Sequence, residues 1–227
     1  MIASASLITI DGPAGSGKTT LGHWLADLLG IPYLETGWLY RAATYRLLTD
    51  RYDDVNWGES LVAELDVEPR LPAPLVHEQV ITLSGGALDV ERDLFSPAVE
   101  GLVAQVASDD GVRRAIARLT RKVVERHGAT AIVSGRDAGT AIFPEAPFKI
   151  VLTADAAVRR ARVERRGLPS SDQTEQSGVS VSVDRLLFEP ATVDDPAARN
   201  TALRLDTSAM TVESVREAVL DYLGVRS

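Results

Sequence analysis

Short apolar segments alternate along the chain with longer segments whose apolar residues recur at helical spacing. Residues 6–11 are mostly apolar or β-branched and run directly into glycines, which predicts a buried strand. Strands separated by helices are typical of a parallel sheet covered on both faces. The pattern therefore predicts an α/β fold with a doubly wound, mostly parallel sheet of five strands. The other four predicted strands are Tyr33-Leu34, Ala131–Ser134, Phe148–Leu152 and Leu203–Leu205.

Helical spacing is clear in several of the intervening segments. A helix over 18–29 is expected to end at Gly30, and another begins at Pro97 with Ser96 as its N-cap. A third opens at Asp109-Asp110, where carboxylates complement the positive end of a helix. Two more are predicted at 155–166 and 212–223. In the first helix, the residues expected to face inward are Leu21, Leu25, Leu28 and Leu29.

Two stretches do not follow the strand–helix alternation. Residues 52–95 contain several prolines and two short β-like runs around Ser84-Gly85-Gly86, which predicts a small inserted lobe with a hairpin. Residues 167–201 are polar and rich in Ser, Gln, Gly and Pro, so we interpret them as a flexible, lid-like loop. The alternative for the second stretch is a disordered surface loop.

A complete phosphate-binding motif lies between the first strand and the first helix. Its glycines allow successive backbone N–H groups to point at phosphate oxygens, and the helix N-terminus adds positive potential. Lys18 would reach the β- and γ-phosphates, and the Thr19 hydroxyl would coordinate Mg²⁺. The alternative, a glycine-rich turn with an exposed lysine, does not explain the full match. The residues expected to bind the nucleotide are Gly12, Pro13, Ala14, Gly15, Ser16, Gly17, Lys18, Thr19 and Thr20.

Phosphoryl transfer requires more positive charge than one lysine, because negative charge spreads over the transferring group. Arg41 follows the second strand, and Arg136-Asp137 follows the strand at 131–134, so both lie at the sheet edge where ligands bind in α/β folds. The alternative for Arg41 is an arginine on the solvated face of a helix, and for Arg136-Asp137 an internal salt bridge. Arg113, near the start of its helix, is a further candidate.

Four motifs together resemble the bacterial cytidylate kinases, which are P-loop nucleoside monophosphate kinases. The resemblance covers most of the chain and is more specific than the phosphate loop alone. The motifs are Ile8–Pro13 leading into the loop, Glu35-Thr36-Gly37 through Tyr40-Arg41, Gly135–Thr140 with Phe143–Pro147 after it, and Leu205–Ser208.

The resemblance implies transfer of the γ-phosphoryl group of ATP to CMP or dCMP, with Mg²⁺ as cofactor. It implies that Arg41 and Arg136 hold the acceptor phosphate, and that the inserted lobe helps to cover the acceptor. Lys18, Arg136, Arg41 and Asp137 would be the catalytic residues. Of the other residues, Asp137 and Arg113 would face the cytosine, Thr36 would line the acceptor pocket, and Arg162 would lie against the donor adenine.

The chain departs from the family pattern at two places. The family carries several lid arginines that clamp both phosphates, whereas residues 193–200 retain only Arg199 as a candidate acceptor-binding arginine. Ala104 stands where the family has a serine that contacts the pyrimidine. Two alternatives therefore stay open: a kinase for another small acceptor, and a nucleotide-dependent switch or binding protein that does not turn over.

Composition limits the partners and the cellular location that we expect for the protein. With 24 Lys and Arg against 32 Asp and Glu, the net charge of −8 disfavours binding to nucleic acid or anionic membranes. The chain has no Cys, and no apolar run approaches the roughly 20 residues that span a bilayer. We therefore expect residues 1–227 to form a single kinase domain, monomeric and cytoplasmic, whose partner is a small nucleotide acceptor.

Overall fold

The computed structural model of the chain describes residues 7–50, 57–72, 78–165 and 202–225. The predicted lid at 167–201, including Arg199, lies outside the described residues, as do the first residues of the predicted lobe at 52–95. No helix in the described part of the chain is both long and apolar enough to cross a membrane.

The elements follow one another largely as the apolar pattern predicts. The strands are β1 (Leu7–Asp11), β2 (Tyr33–Glu35), β3 (Leu65–Glu68), β4 (Val80–Leu83), β5 (Gly86–Ala87), β6 (Ala131–Gly135), β7 (Phe148–Thr153) and β8 (Leu203–Asp206). The α-helices are α1 (Lys18–Leu29), α2 (Thr36–Thr49), α3 (Trp57–Ala63), α4 (Pro97–Ser108), α5 (Asp110–Arg126), α6 (Ala156–Glu164) and α7 (Val212–Leu223). Short π-helical turns occupy Val90–Leu94 and Ala138–Ile142.

The predicted five-stranded parallel sheet is confirmed, with the order β2-β6-β1-β7-β8. The register aligns the carboxyl ends of neighbouring strands: Asp11 pairs with Gly135, and Glu35 pairs with Ser134. The phosphate loop, the start of α2 and the Gly135–Asp137 segment therefore meet at one edge of the sheet.

Apolar side chains pack on both faces of this sheet. One cluster joins Leu39, Ile116 and Val133 between the sheet and helices α2 and α5. The other joins Ile10, Leu25 and Val219 beneath α1 and α7. The inward orientation predicted for Leu28 is wrong: its exposure is 48%. The buried face of α1 is centred on Leu21, Gly22, Leu25 and Ala26, which leaves Leu28 at its margin.

The insertion forms a small antiparallel sheet in the order β3-β4-β5. The predicted hairpin is present, with left-handed residues at Ser84 (φ 50°) and Gly85 (φ 82°) between its strands. Its second strand ends earlier than the sequence predicts, because the Asp89 side chain accepts a hydrogen bond from the Arg92 amide and begins a helical turn. Ile81 belongs to the same apolar cluster as the main sheet, so the insertion extends that core.

The insertion also covers the outer edge of β2, the edge strand of the main sheet. The Tyr33 amide donates to the Arg70 carbonyl and the Arg70 amide to the Tyr33 carbonyl, both at 2.9 Å. Two residues further along β2, the Gln79 side chain makes the two backbone hydrogen bonds that a neighbouring strand would make. Its amide oxygen accepts from the Glu35 N–H at 2.7 Å, and its amide nitrogen donates to the Glu35 carbonyl at 3.2 Å.

Candidate active site

The phosphate loop connects β1 to the N-terminus of α1. Gly15 has a left-handed backbone (φ 80°), and a Cβ built on it would lie 2.7 Å from the Arg159 carbonyl oxygen, so a side chain does not fit there. Gly17 precedes α1 and makes no side-chain capping hydrogen bond to the first turn of the helix. This geometry is that of an anion-binding turn.

Two further groups of the loop fit a phosphate. The Ser16 hydroxyl is buried and has no hydrogen-bond partner in the described part of the chain. The Lys18 ammonium donates to the Pro13 carbonyl at 2.9 Å, so it folds back over the loop. A buried hydroxyl without a hydrogen-bond partner among the described residues, in the same loop as an ammonium and at the N-terminus of a helix, suits the oxygens of a polyphosphate.

Thr19, the predicted metal ligand, points to the end of β2. Its hydroxyl donates to Glu35 Oε2 at 3.1 Å, and the same carboxylate lies 3.4 Å from the Tyr33 hydroxyl. The described residues contain no cluster of three His, Cys, Asp or Glu side chains that would hold a metal alone. A hydroxyl and one carboxylate fit Mg²⁺, which binds few protein oxygens and takes the rest from phosphates and water.

Glu35 was not among the predicted site residues, although it opens the Glu35-Thr36-Gly37 motif at the carboxyl end of a strand. That position was the feature of the sequence that could have identified Glu35 as a site residue. Nothing in the local sequence indicates Gln79, whose two hydrogen bonds hold the Glu35 backbone from 44 residues away.

A cavity of about 200 Å³ opens beside the predicted acceptor residues. Arg113 and Asp137 meet at its wall in an ion pair of 2.7 Å, in which Arg113 donates. Burial raises the pKa of the nearby Tyr40 hydroxyl, which therefore stays a neutral hydrogen-bonding group. The cavity is lined by Tyr40, Asp110, Arg113, Arg114, Ala117, Asp137, Ala141 and Ile142. The structure thus brings Arg113 and Asp137 together at this cavity, and their expected contact with the cytosine stays a prediction.

Thr36 and Arg136 are not among the residues that line this cavity. The Thr36 hydroxyl is buried and donates to the Ser134 carbonyl at 3.0 Å, so it fixes the start of α2 against β6. Arg136 is half-buried directly after β6. Ala104 lies on α4 and does not line the cavity either.

Arg41 is buried on α2, with 1% exposure, so its interpretation as a solvated helix arginine is wrong. Its guanidinium donates to the Leu94 carbonyl at 2.8 Å and to Glu100 Oε1 at 2.5 Å. It also lies 3.9 Å above the centre of the Phe95 ring. Charge pairing and stacking therefore hold the side chain that the resemblance assigns to the acceptor phosphate.

Asp11, the last residue of β1, fixes the turn that follows Asp137. Its carboxylate accepts hydrogen bonds from the amides of Ala138 and Gly139, both at 2.8 Å. Burial raises the pKa of Asp11 to about 6, although these two amides oppose the shift. Asp11 belongs to the motif that leads into the phosphate loop, but its contacts span more than 120 residues, so the local sequence does not predict them.

A second cavity, of about 140 Å³, adjoins the phosphate loop on the side of α7. Arg162 lies at its wall and donates to the Gly15 carbonyl at 3.3 Å and to the Thr207 carbonyl at 2.7 Å. Its lining includes Ser16, Gly17, Thr20 and Arg162 from the predicted nucleotide site, together with Thr207, Met210 and Val215. That Arg162 lies against the donor adenine stays a prediction.

A parallel sheet whose first strand leads through this loop into a helix defines the P-loop class of nucleotide-binding proteins. Within that class, the family model described as cytidylate kinase matches residues 8–224. The chain therefore belongs to the cytidylate kinase family.

Individual relatives agree with this assignment. The chain is 37% identical over 234 residues to the cytidylate kinase of Enterobacter sp. (strain 638), with 98% of this chain and 96% of the relative covered. It is 37% identical over 240 residues to that of Pseudomonas fluorescens (strain SBW25), with 100% and 98% covered. The bifunctional pantoate ligase/cytidylate kinase of Prochlorococcus marinus (strain MIT 9313) is 33% identical over 234 residues. That match covers 100% of this chain but 45% of the relative, so the chain spans about half the length of that protein.

Proposed function

We propose that the protein transfers the γ-phosphoryl group of ATP to CMP or dCMP, giving ADP and the nucleoside diphosphate. The observation that carries the proposal is the Arg113–Asp137 ion pair at the wall of the cavity of about 200 Å³. Cytosine presents an amino donor next to ring and carbonyl acceptors, which a carboxylate and a guanidinium complement. Membership of the cytidylate kinase family supports the same acceptor.

Catalysis in this proposal is positioning and charge neutralisation, with no covalent protein intermediate. The loop amides and the Ser16 hydroxyl bind phosphate oxygens, and Lys18 exchanges its bond to Pro13 for the β- and γ-phosphates. Thr19 and Glu35 would hold Mg²⁺, which supplies neutralising charge when bound. Arg136 would orient the acceptor phosphate, and Arg162 the donor base.

We further propose that the insertion at 52–95 helps to cover the acceptor, and that 167–201 forms a lid over the phosphates. The contact of Arg41 with Leu94 and Phe95 supports the first proposal, because it joins the end of the insertion to α2. We propose that the protein acts as a monomer in the cytoplasm, where ATP, Mg²⁺ and nucleoside monophosphates are available.

The test is an ADP-release assay with ATP, Mg²⁺ and a panel of nucleoside monophosphates and nucleosides. Preferential turnover of CMP or dCMP is the expected result. A second candidate is a kinase for another small acceptor, which the pairing of Arg41 with Glu100 favours because it neutralises a predicted phosphate-binding charge. Faster turnover of another acceptor would establish that candidate, and ATP binding without turnover of any acceptor would refute both.

A further inference from the structure

The charge of Arg41 is already balanced inside the protein. Its guanidinium contacts the Leu94 carbonyl, the Phe95 ring and the Glu100 carboxylate, and its exposure of 1% leaves it inaccessible to a ligand in this conformation. A phosphate oxygen can therefore reach Arg41 only if a group that contacts it gives way.

Glu100 is the partner best placed to do so. Leu94 and Phe95 belong to a turn whose backbone is held by packing, and the Leu94 side chain is 1% exposed. Glu100 lies in the first turn of α4, and its side chain is 16% exposed, so it is less enclosed than Leu94. A carboxylate oxygen and a phosphate oxygen seek the same N–H groups of a guanidinium.

We propose that Glu100 sets the affinity of the protein for the phosphate of its acceptor. Its carboxylate occupies Arg41 when no acceptor is bound, and the incoming phosphate displaces it. This inference rests on the proposed function, in which Arg41 binds the acceptor phosphate. Displacement reduces the apparent affinity, since the binding-competent arrangement is only a fraction of the population, and the two anions also repel each other.

The matching experiment uses Glu100→Gln, which keeps the size of the side chain and an oxygen that accepts from Arg41 but removes the charge. We expect the dissociation constant for CMP to fall by about three- to ten-fold in isothermal titration, because the phosphate no longer competes with a carboxylate. Cytidine, which has no phosphate, should bind wild type and variant equally. The melting temperature of the ligand-free variant should fall, because the buried guanidinium loses its counter-charge.

Stronger phosphate binding together with lower stability is a signature that a purely structural ion pair does not give. Glu145→Gln serves as the matched control, since Glu145 pairs with Arg121 in an exposed ion pair of 2.8 Å and lines neither cavity. It should change neither binding constant. Unchanged or weaker CMP binding by Glu100→Gln would overturn the proposal.

A separate measurement distinguishes failure of this inference about Glu100 from failure of the proposed function. If wild type neither binds nor phosphorylates CMP, inorganic phosphate becomes the probe, and thermal stabilisation by phosphate is compared between wild type and Glu100→Gln. Greater stabilisation of the variant supports the role of Glu100, and equal stabilisation overturns it. If Glu100→Gln does not fold, Glu100→Asp is the second variant to measure. Its shorter side chain holds the carboxylate less closely against Arg41, so CMP should again bind more tightly than to wild type.

Discussion

The Asp11 carboxylate accepts a hydrogen bond of 2.8 Å from the Gly139 amide, 128 residues further along the chain. Asp11 ends the strand that leads into the phosphate loop, and Gly139 lies two residues after Asp137. A Cβ on Gly139 would approach the Thr9 hydroxyl oxygen to 2.6 Å, so the turn packs directly against β1. The donor and acceptor sides of the site are therefore joined through one buried carboxylate.

Asp11 should make stability depend on pH. Its pKa rises from 3.8 in the unfolded chain to about 6 in the folded protein, so the folded state favours the protonated form. The contribution of Asp11 to stability is therefore greatest below the lower value and is lost as pH rises through the upper one, by up to about 3 kcal/mol. Urea unfolding of wild type and of Asp11→Asn, which does not titrate, measures this difference across that range. Parallel pH curves for the two proteins would contradict the assignment.

Replacing Gly15 with Ala should damage nucleotide binding and stability together. The new Cβ would lie 2.7 Å from the Arg159 carbonyl at a backbone φ of 80°, so the loop must shift. We expect a loss of about 1–3 kcal/mol in the free energy of unfolding and a higher KM for ATP. Gly101→Ala is the matched control: no atom lies within 4 Å of its Cβ, and this helical site should be neutral or slightly stabilised. Equal effects at the two sites would show that the close approach is unimportant.

Lys18→Ala should abolish phosphoryl transfer and leave the fold intact. The side chain is half-buried and contacts its own loop, so its removal leaves no cavity in the core. We expect kcat to fall by about 10²–10³ or more, since a charge aimed at the transferring group is lost. Circular dichroism and the melting temperature verify the fold. Activity close to that of wild type would remove Lys18 from the mechanism.

Asp137→Asn should weaken selection among acceptor bases. In the proposed site, Asp137 accepts from the cytosine amino group, and an amide side chain can turn to donate to uracil instead. The ratio of kcat/KM for CMP over UMP should fall by about ten- to a hundred-fold. The fold should change little, because the Arg113 side chain in this pair is 36% exposed. An unchanged ratio would place the cytosine elsewhere.

Glu35→Gln tests the proposed metal position. The variant keeps a hydrogen-bond acceptor for Thr19, whose hydroxyl lies 3.1 Å from the carboxylate, but lacks the negative charge that attracts a cation. Half-maximal activity should then require about ten- to a hundred-fold more Mg²⁺, the usual loss of affinity when a group near the metal is changed. Titration with ADP alone should give the wild-type affinity, whereas the added affinity from Mg²⁺ should shrink. A Mg²⁺ dependence identical to that of wild type would exclude Glu35 from the site.

Much of the architecture was predictable because its signals are local. The apolar and β-branched run predicted as a strand at 6–11, the glycines after it and the N-cap at Ser96 each act within a few residues. The described strand covers Leu7–Asp11, and the helix begins at Pro97 as predicted. The phosphate loop follows from the same kind of signal. The family resemblance implied that Arg113 and Asp137 both face the cytosine, but their pairing across 24 positions was not predicted.

The remaining features of the site depend on contacts between distant segments. The sequence shows Arg41 after a strand but not that Glu100, 59 residues later, neutralises it, so neither burial nor pairing was predictable. Asp11 and Gln79 are similar cases, because a single polar residue gives no periodic signal and its partner is fixed only when the chain has folded. Leu28 shows the opposite error: helical spacing assigned it to the core, and packing around Gly22 and Leu25 left it exposed.

The two hydrogen bonds from Gln79 to the backbone of Glu35 have a consequence for engineering. The insertion that carries Gln79 is not an independent cover that can be exchanged between relatives, because it supplies the final bonds of the strand that ends at Glu35. A chimera with a foreign insertion must keep a side-chain amide at this position, or the carboxylate facing Thr19 loses its support.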